Sequence, residues 1–448
     1  MGRFTPPQMV IFSFLCVICL GTIALSLPFA TQGAEKLSLV DSLFTATSAT
    51  CVTGLIVKDT GTYFSAFGRW VIFLLFQMGG LGIMTFSTLF AVMLGRKISF
   101  RETDVIRSTL DKRNIIGFKR LMAYILGITF GVELIGAVFL FLRWKATTDW
   151  NIIEIIQRAV FHSVSAFCNA GFALFRASFT QFEADPCINA IMIGIIFIGG
   201  IGFIVIMDVT GLFYRKGPER KLSLQARLAL TVSLALIAFG AFSLVFFEKN
   251  NIMSGMSWAQ RLWGGAFQSV TARTAGFNTL PTGKLTMPSL LVLVFLMFIG
   301  ASPGSTGGGI KTCTFGVLAA SVWNMMKNRR KVQFFNRAIP RQVVREALVI
   351  FFLALSWIFV FTVLVTYFQA RQLGGSTPLI KILFEVVSAF GTVGLSTGIT
   401  SELGGISKLC ITATMFAGRV GPLTLALAVA FRRGRETYSF PEEEVMVG

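Results

Sequence analysis

Four short segments of this 448-residue chain carry glycine and small polar residues at matching places. Each segment begins at a Phe and reaches, 9 or 10 residues later, a Gly that is followed by an apolar residue. The segments run from Phe44 to Gly54, from Phe161 to Gly171, from Phe267 to Gly276 and from Phe384 to Gly394. Main-chain carbonyls from four such segments around one axis could replace the water around a cation. The pattern therefore predicts a cation site built from backbone oxygens.

The residue types in these segments favour a monovalent ion. Gly adopts backbone angles that are closed to other residues and lets four chain segments approach closely. The apolar run before each Gly predicts a short helix whose partially negative C-terminus favours a cation below it. No ring of carboxylates occupies these positions, which argues against a divalent-cation filter. The candidate ion-binding residues are Thr50, Cys51, Val52, Thr53, Gly54, Cys168, Asn169, Ala170, Gly171, Thr274, Ala275, Gly276, Thr392, Val393 and Gly394.

The composition places the chain in a bilayer. Apolar residues make up 54% of the sequence and charged residues only 14%, whereas a soluble domain carries roughly a quarter charged residues. The net charge of +19 does not indicate a nucleic-acid binder, because the basic residues lie between apolar stretches. Seven scattered Cys residues, mostly within apolar sequence, indicate neither a disulfide framework nor a metal site.

Apolar stretches long enough to cross a membrane recur along the whole chain. We predict eight crossings, over residues 8–27, 70–94, 121–142, 188–213, 228–247, 290–323, 347–368 and 409–431. The first could instead be a signal peptide, but its apolar run exceeds the usual length of such a segment. Lys and Arg number 24 on the side of the termini and 13 on the opposite side. The positive-inside tendency therefore predicts a multi-pass plasma-membrane protein with both termini in the cytoplasm.

The chain divides into four copies of one unit. A second glycine follows each segment after 25, 28, 24 and 24 residues, at Gly79, Gly199, Gly300 and Gly418. Each unit is therefore a crossing, a re-entrant segment and a second crossing, which predicts an all-α membrane protein with four tandem repeats around one pore. The predicted repeats are residues 1–95, 96–214, 215–331 and 332–432, and residues 433–448 form a cytoplasmic tail.

The sixth crossing is interrupted by a glycine-rich run. Backbone of this kind at membrane depth must contact protein or water, so a flexible segment here is a natural gate. Arg419 lies inside the eighth crossing, where burial of a cation costs about 2.5–3.5 kcal/mol, and we expect it to face the interior. The candidate gate residues are Gly300, Gly304, Ser305, Thr306, Gly307, Gly308, Gly309, Lys311 and Arg419.

The fourfold pattern with its filter glycines resembles the Trk/Ktr/HKT superfamily of potassium transporters, most closely the bacterial Ktr-type membrane subunit. The resemblance covers nearly the whole chain. It implies potassium uptake through a selectivity filter at Gly54, Gly171, Gly276 and Gly394, with sodium left open as a second ion. It also implies an intramembrane gating loop over Gly300 to Thr312 with Arg419 near the ion path. The implied partners are a homodimer mate and a cytosolic nucleotide-binding ring of the RCK type, similar to KtrA.

The third segment departs from the others. It is one residue shorter between Phe267 and Gly276, and it places Arg273 beside the filter. We expect an irregular ring of carbonyls at this segment and a single strong ion site.

Several other interpretations are weaker. The run at residues 304–312 lacks the Walker A spacing, because Ile310 separates the last Gly from Lys311, so we expect no nucleotide on this chain. The pairs Gly79/Gly82 and Gly199/Gly202 indicate close helix packing. His162 is expected to pack in the interior. Glu133 and Asp208 could couple ions, but such carboxylates are more often paired at helix interfaces or headgroups.

Two other function classes remain. An alternating-access cation symporter also uses internal repeats and broken helices, but usually as two-fold repeats with a midplane site. An intramembrane enzyme has little support, because the chain has one His and no H-E-x-x-H motif. We therefore expect a transport protein that is not an enzyme.

Overall fold

The structure is a computed structural model that describes residues 6–33, 36–82, 118–214, 221–329, 331–373 and 377–421. Most of the predicted basic connection at 96–120, part of the connection at 215–227 and the predicted tail at 433–448 lie outside these residues. The described part is mainly helical, as predicted. Its α-helices are α1 (Pro6–Ser26), α2 (Leu39–Thr50), α3 (Ala66–Leu81), α4 (Phe118–Thr147), α5 (Ile152–Cys168), α6 (Pro186–Ile201), α7 (Phe203–Tyr214), α8 (Leu224–Glu248), α9 (Trp258–Thr271), α10 (Met287–Phe298), α11 (Thr312–Met326), α12 (Arg341–Leu373), α13 (Leu379–Gly391) and α14 (Gly405–Val420).

Four long helices open the four units. Helices α1, α4, α8 and α12 contain the apolar stretches Gln8–Ser26, Met122–Thr147, Leu224–Glu248 and Arg341–Gln372, each long and apolar enough to cross a membrane. Among the described residues these four pass that test alone, and the pair α6 and α7 passes it as a bent helix pair. Within the described residues the other predicted crossings contain shorter or interrupted helices. Residues 83–94 and 422–431 of the second and eighth crossings lie outside the described residues, and the full set of eight remains a prediction.

Within the described residues the second helix of each unit is short or broken, and a bend that the sequence did not predict interrupts the fourth predicted crossing. Residues 188–213 were expected to form one crossing, but α6 and α7 meet at a bend of 101°. Gly202 stands at the bend with φ +88°, a conformation that L side chains rarely adopt. Gly82 and Gly421 end α3 and α14 in the same way, with φ +75° and +90°. These glycines therefore end helices. Gly202 also packs closely, because a Cβ built on it would lie 2.6 Å from the Pro303 carbonyl oxygen.

A short helix precedes each candidate filter segment, as the re-entrant pattern predicts. Three of these helices, α2, α5 and α9, begin at N-caps whose side chains accept main-chain N–H bonds, namely Ser38, Asn151 and Ser257. Such caps satisfy amides that have no partner within the helix. The C-terminal halves of α2, α5, α9 and α13 are almost fully buried. The helices therefore direct their carbonyl ends into the centre of the protein.

The core consists of two large apolar clusters. One cluster contains residues of α1, α2, α8, α10, α12, α13 and α14. The other contains residues of α1, α2, α3, α4, α5, α6 and α9. An ion pair between Asp41 on α2 and Lys408 on α14, with N to O 2.6 Å, links the first unit to the last. A short hairpin, β1 (Gln333–Phe334) with β2 (Arg337–Ala338), lies between α11 and α12 and was not expected in an all-α chain.

Candidate ion-binding ring and loop

The four marker glycines meet in a closed circuit. A Cβ built on Gly54 would lie 2.5 Å from the carbonyl oxygen of Ala170, and one on Gly171 would lie 2.9 Å from that of Ala275. The circuit continues from Gly276 to the carbonyl of Val393 and from Gly394 to that of Thr53. Any side chain at these positions would strike a neighbouring backbone. The glycines are therefore required by the close approach of four chain segments, which we call the filter segments.

The filter segments share one backbone conformation. Each glycine has a positive φ, of +87°, +71°, +81° and +92° in chain order. The residue two places before each glycine also has a positive φ, and these residues are Val52 (+58°), Asn169 (+57°), Thr274 (+84°) and Thr392 (+49°). Positive φ is uncommon for such residues and is costly for the β-branched Val and Thr. Its recurrence at matched places shows that the surrounding structure imposes the same turn on every segment.

A hydroxyl residue near the end of each short helix braces its filter segment. The side-chain oxygens of Ser48, Ser165 and Thr271 donate to the carbonyls of the residues after the glycines, at 2.7, 2.8 and 2.6 Å. Ser388 instead accepts a bond from Gly394 N at 3.1 Å, and Ser48 accepts one from Gly54 N. We call Ser48, Ser165, Thr271 and Ser388 the brace hydroxyls. These four residues were not among the predicted site residues, although the Ser/Thr-Ala pair that recurs at matched places is a usable signal in the sequence.

The third filter segment is regular, contrary to expectation. Thr274 and Gly276 have the same signs of φ as their counterparts, and Gly276 closes the circuit. The missing residue is absorbed at the helix end, where the N–H groups of both Ala275 and Gly276 reach Thr271 O. The guanidinium of Arg273 turns away to the Ser233 carbonyl and hydroxyl at 3.2 and 3.1 Å. The shorter segment therefore does not disturb the ring. The number of ion sites remains a prediction.

Polar side chains also anchor the chain after two of the filter segments. His162 Nε2 accepts the Leu174 amide at 3.0 Å, and Glu385 Oε1 accepts the Thr397 amide at 3.0 Å. Both residues directly follow the Phe that begins a segment, and each accepts the amide of the residue 12 positions later in the sequence. His162 is fully buried, in agreement with the expected packing role.

Residues 299–311 form a non-helical loop between α10 and α11 that lies directly against the filter segments. The Gly308 amide donates to the Thr392 hydroxyl at 2.9 Å, and a Cβ on Gly307 would strike the Thr274 side chain. The Thr306 hydroxyl reaches the Phe167 carbonyl at 3.2 Å, at the end of α5. We call these residues the loop. The loop contacts the second, third and fourth filter segments directly.

Cationic side chains hold the loop's own carbonyls. Lys311 Nζ donates to the Gly307 carbonyl at 2.6 Å. The two terminal nitrogens of Arg419 donate to the Thr306 carbonyl and to the Gly79 carbonyl in the first unit. Arg419 therefore fastens the loop to a helix on another side of the ring. Seven of the predicted gate residues meet here, namely Gly300, Thr306, Gly307, Gly308, Gly309, Lys311 and Arg419. The carbonyl of Gly304 accepts the Phe203 amide at the start of α7. Ser305 stays within the loop, where it bonds to Ser302.

The repeats leave room for Arg419. Its counterparts in the other units are Gly80, Gly200 and Ala301, which are all small. A cavity of about 300 Å³ adjoins the loop, with Gly80, Thr306, Lys311 and Arg419 in its wall and apolar side chains from α1, α4 and α7 around them. The Arg419 side chain can therefore occupy space that its small counterparts in the other three units leave open.

The glycines at positions 79, 199 and 418, in the second helices of their units, let those helices pack closely against the ends of the short helices. A Cβ on Gly79, Gly199 or Gly418 would strike the carbonyl of Thr50, Phe167 or Phe390, each four residues before a ring glycine. The predicted packing role thus holds for Gly79 and Gly199. This packing brings the second helix of each of these three units against its own filter segment.

The comparisons with known proteins decide the family. A family model described as TrkH, a cation transport protein, matches residues 5–437. The chain belongs to this TrkH family. The family and its relatives are transport proteins rather than enzymes, as the sequence indicates.

Named relatives match this TrkH-family chain over its full length. It is 37% identical to Ktr system potassium uptake protein B of Bacillus subtilis (strain 168), with 100% of this chain and 97% of that protein covered. It is 36% identical to potassium/sodium uptake protein NtpJ of Enterococcus hirae, with 100% and 98% covered. The crystal structure of the potassium transporter TrkH from Vibrio parahaemolyticus matches with a TM-score of 0.69 at 20% identity, over 94% of this chain and 85% of that one. The predicted Trk/Ktr relationship is confirmed, and the solved structure shares the fold.

Proposed function

We propose that this chain carries potassium ions across a cell membrane through the ring of Gly54, Gly171, Gly276 and Gly394. One observation carries the proposal: each ring glycine packs against the carbonyl that precedes the next one, so the circuit closes. The relatives named for potassium uptake support the choice of ion. The relative named for potassium and sodium keeps sodium as a second ion that the ring could admit.

The chemistry of the ring suits a dehydrated monovalent cation. The carbonyls of Thr53, Ala170, Ala275 and Val393 border the ring glycines, and in the proposal they replace water around the ion. The carbonyl ends of the short helices add partial negative charge in the same region. The brace hydroxyls hold the filter segments, so the spacing of the oxygens is fixed before an ion arrives. The same proposal includes the filter positions Thr50, Cys51, Val52, Cys168, Asn169, Thr274 and Thr392.

In this proposal the loop is the gate. Lys311 and Arg419 occupy the Gly307 and Thr306 carbonyls, which are the kind of ligand that a passing potassium ion requires. The positive charges of Lys311 and Arg419 repel a potassium ion, and their side chains also block its path. The loop must therefore leave Arg419 and the filter segments before ions flow.

The proposed topology has eight crossings and places both termini in the cytoplasm of a multi-pass plasma-membrane protein. The four quasi-equivalent units are residues 1–95, 96–214, 215–331 and 332–432. The repeated backbone pattern of the filter segments supports this division. The third unit carries the loop within its broken second helix.

We further propose that a cytosolic ring of RCK type, which binds nucleotide, opens the loop, and that two copies of the chain form a dimer with separate pores. The relative designated protein B of the Ktr system supports a multi-component assembly. The basic connections predicted on the cytoplasmic side would receive such a ring. Nucleotide would bind to the partner and not to this chain.

Rubidium uptake into potassium-requiring cells tests the proposal. Each ring glycine is changed singly to Ser, as in Gly54→Ser, and uptake is measured with and without competing sodium. A matched control is Gly255→Ser, because Gly255 has no heavy atom within 4 Å of a built Cβ. We expect the ring variants to lose discrimination against sodium and the control to keep it. Unchanged discrimination in all four ring variants would rule out the ring as the filter.

A further inference from the structure

The residue that follows the first Phe of each filter segment is polar and buried in all four units. These residues are Thr45, His162, Gln268 and Glu385, and none is more than 2% exposed. Burial of a polar side chain costs free energy unless the side chain is hydrogen-bonded. Its recurrence at one matched place indicates that hydrogen bonding from this position holds the filter segment.

In the second and fourth units this side chain holds the main chain beyond the ring glycine. His162 Nε2 accepts the Leu174 amide, and Glu385 Oε1 accepts the Thr397 amide, both at 3.0 Å. Leu174 and Thr397 each lie three residues after their ring glycine. The short helix before each of these segments is therefore bonded directly to the chain that follows the segment.

The third unit has the residues of the fourth unit at the corresponding places. Thr279 and Thr397 each lie three residues after their ring glycine. Thr282 and Thr400 each lie six residues after it and begin a short 3-10 helix. In the fourth unit the Thr400 hydroxyl also donates to Glu385, at 2.8 Å. The third unit thus offers Gln268 the same residue types that bind Glu385.

Gln268 nevertheless has no protein partner for its side chain. Among the residues that the structure describes, neither its Oε1 nor its Nε2 makes a hydrogen bond, and the Thr279 hydroxyl makes none either. Gln268 is fully buried, and Thr279 is 1% exposed. Buried polar atoms are almost always paired with protein groups or ordered water. The amide and the hydroxyl therefore require a further partner.

The three unpaired atoms indicate the chemistry of that partner. Gln268 Nε2 only donates, Gln268 Oε1 only accepts, and the Thr279 hydroxyl can do either. A cation would satisfy the oxygens and leave the Nε2 donor unpaired, whereas an anion would leave Oε1 unpaired. The guanidinium of Arg273 is already bound to Ser233. Water both donates and accepts, so it suits all three atoms.

We propose that Gln268 and Thr279 bind buried water, which connects α9 to the chain beyond Gly276. Gln268 is then a positioning residue of the third filter segment. The second and fourth segments are held here by a direct bond, whereas the third is held through solvent, and two bonds in series fix a distance less firmly than one. The water link therefore limits how sharply the ring distinguishes potassium from sodium. This inference rests on the proposed function.

The test measures competition between rubidium and sodium in uptake by the full chain. The variants are Gln268→Met, Thr279→Val and the double variant, which remove one or both groups that bind the water and keep side chains of similar size. The control is Thr362→Val on α12, which removes a buried, unpaired hydroxyl outside the filter segments.

We expect each single variant to discriminate about fivefold less well against sodium, since the loss of one net hydrogen bond has an effect of this size. The double variant should lose no more than either single variant, because the same water link is already broken. The control should keep the wild-type discrimination. A loss in the double variant that equals the product of the two single losses would overturn the shared site. Wild-type discrimination in both single variants would overturn the positioning role.

The variant Gln268→Glu separates hydrogen bonding from packing. A carboxylate can accept the Thr279 amide directly, as Glu385 accepts the Thr397 amide. We expect this variant to discriminate at least as well as the wild type. If Gln268 only filled space, the Met and Glu variants would differ in melting temperature and share one selectivity, and that result would overturn the inference.

Electron density in crystals of the wild-type protein tests the ligand itself and does not depend on the folding of any variant. We expect water within hydrogen-bonding distance of the Gln268 amide and the Thr279 hydroxyl. Lack of density at this place, or an anomalous rubidium peak there, would overturn the assignment to water.

The variant Gly276→Ser distinguishes failure of this inference from failure of the proposed function. If Gly276→Ser loses sodium discrimination while the Gln268 and Thr279 variants keep it, the water link alone fails. If Gly276→Ser also keeps full discrimination, the proposed ring and the link that rests on it both fail.

Discussion

The amide of Gly308 donates a hydrogen bond of 2.9 Å to the hydroxyl of Thr392 across 84 residues of sequence. Thr392 belongs to the fourth filter segment, where its positive φ matches three counterparts. Gly308 belongs to the loop between α10 and α11. The bond therefore links the candidate gate directly to the candidate filter. A movement of the loop acts on the fourth filter segment without an intervening helix.

The substitution Thr392→Ala removes this tie. Loss of one buried hydrogen bond shifts an equilibrium by about 1 kcal/mol, so we expect roughly fivefold higher rubidium flux in vesicles that lack any cytosolic partner. Thr392→Ser keeps the hydroxyl and serves as the control with wild-type flux. Equal flux in the Ala and Ser variants would show that the bond does not restrain the loop.

Arg419 is expected to act as a two-ended tether and not only as a charge. A guanidinium fork reaches two carbonyls, whereas a lysine ammonium at the same place keeps the charge without spanning both. We therefore expect Arg419→Lys to raise partner-free flux on the order of tenfold and Arg419→Gln to raise it further, because Lys loses one charged hydrogen bond of about 1.5–3 kcal/mol and Gln loses both. Flux that rises in Arg419→Gln but stays at the wild-type level in Arg419→Lys would assign the effect to charge alone.

The brace hydroxyls should set the selectivity of the ring. Ser165→Ala frees the Phe172 carbonyl from a bond of 2.8 Å and loosens the second filter segment. We expect severalfold weaker discrimination of rubidium against sodium, measured by competition in uptake assays. Ser165→Thr should retain discrimination, because Thr271 already fills this role in the third unit. A Thr variant as poor as the Ala variant would point to packing and not to the hydroxyl.

The ion pair of Asp41 and Lys408 should stabilise the closure between the first and last units. Their side chains are 15% and 12% exposed, so loss of either partner leaves a charge poorly solvated. We expect Asp41→Asn or Lys408→Met to cost about 2 kcal/mol, less than a fully buried pair because water reaches both groups. Thermal melting in detergent measures this cost, and a double-mutant cycle isolates the pair. Additive effects of the two substitutions would show that the pair contributes no coupling.

The filter segments could be predicted from sequence because the physical requirement recurs four times. A single Gly followed by an apolar residue has many explanations, whereas Gly54, Gly171, Gly276 and Gly394 at matched distances have few. The loop was predictable for a similar reason, since a glycine-rich run inside an apolar stretch has no other stable place in a membrane. Matched spacing was sufficient for the filter segments, and local composition was sufficient for the loop.

Other features depend on contacts that local sequence does not contain. The bend at Gly202 was missed because residues 188–213 are mostly apolar and long enough for one crossing, and the positive φ at Gly202 marks the break. The direction of Arg273 was missed because its partner Ser233 lies 40 residues away on another helix. Gln77 and Glu133 stand 56 residues apart, and their pairing follows from the way two units pack side by side.

Anomalous diffraction from crystals grown in rubidium shows whether a cation binds at the four ring glycines. We expect a rubidium peak on the axis of the four ring glycines, within coordinating distance of the carbonyl oxygens of Thr53, Ala170, Ala275 and Val393. The peak should weaken when potassium replaces rubidium in the crystal. Rubidium bound only elsewhere in the protein, with no density at the ring, would show that the ring is not the cation site.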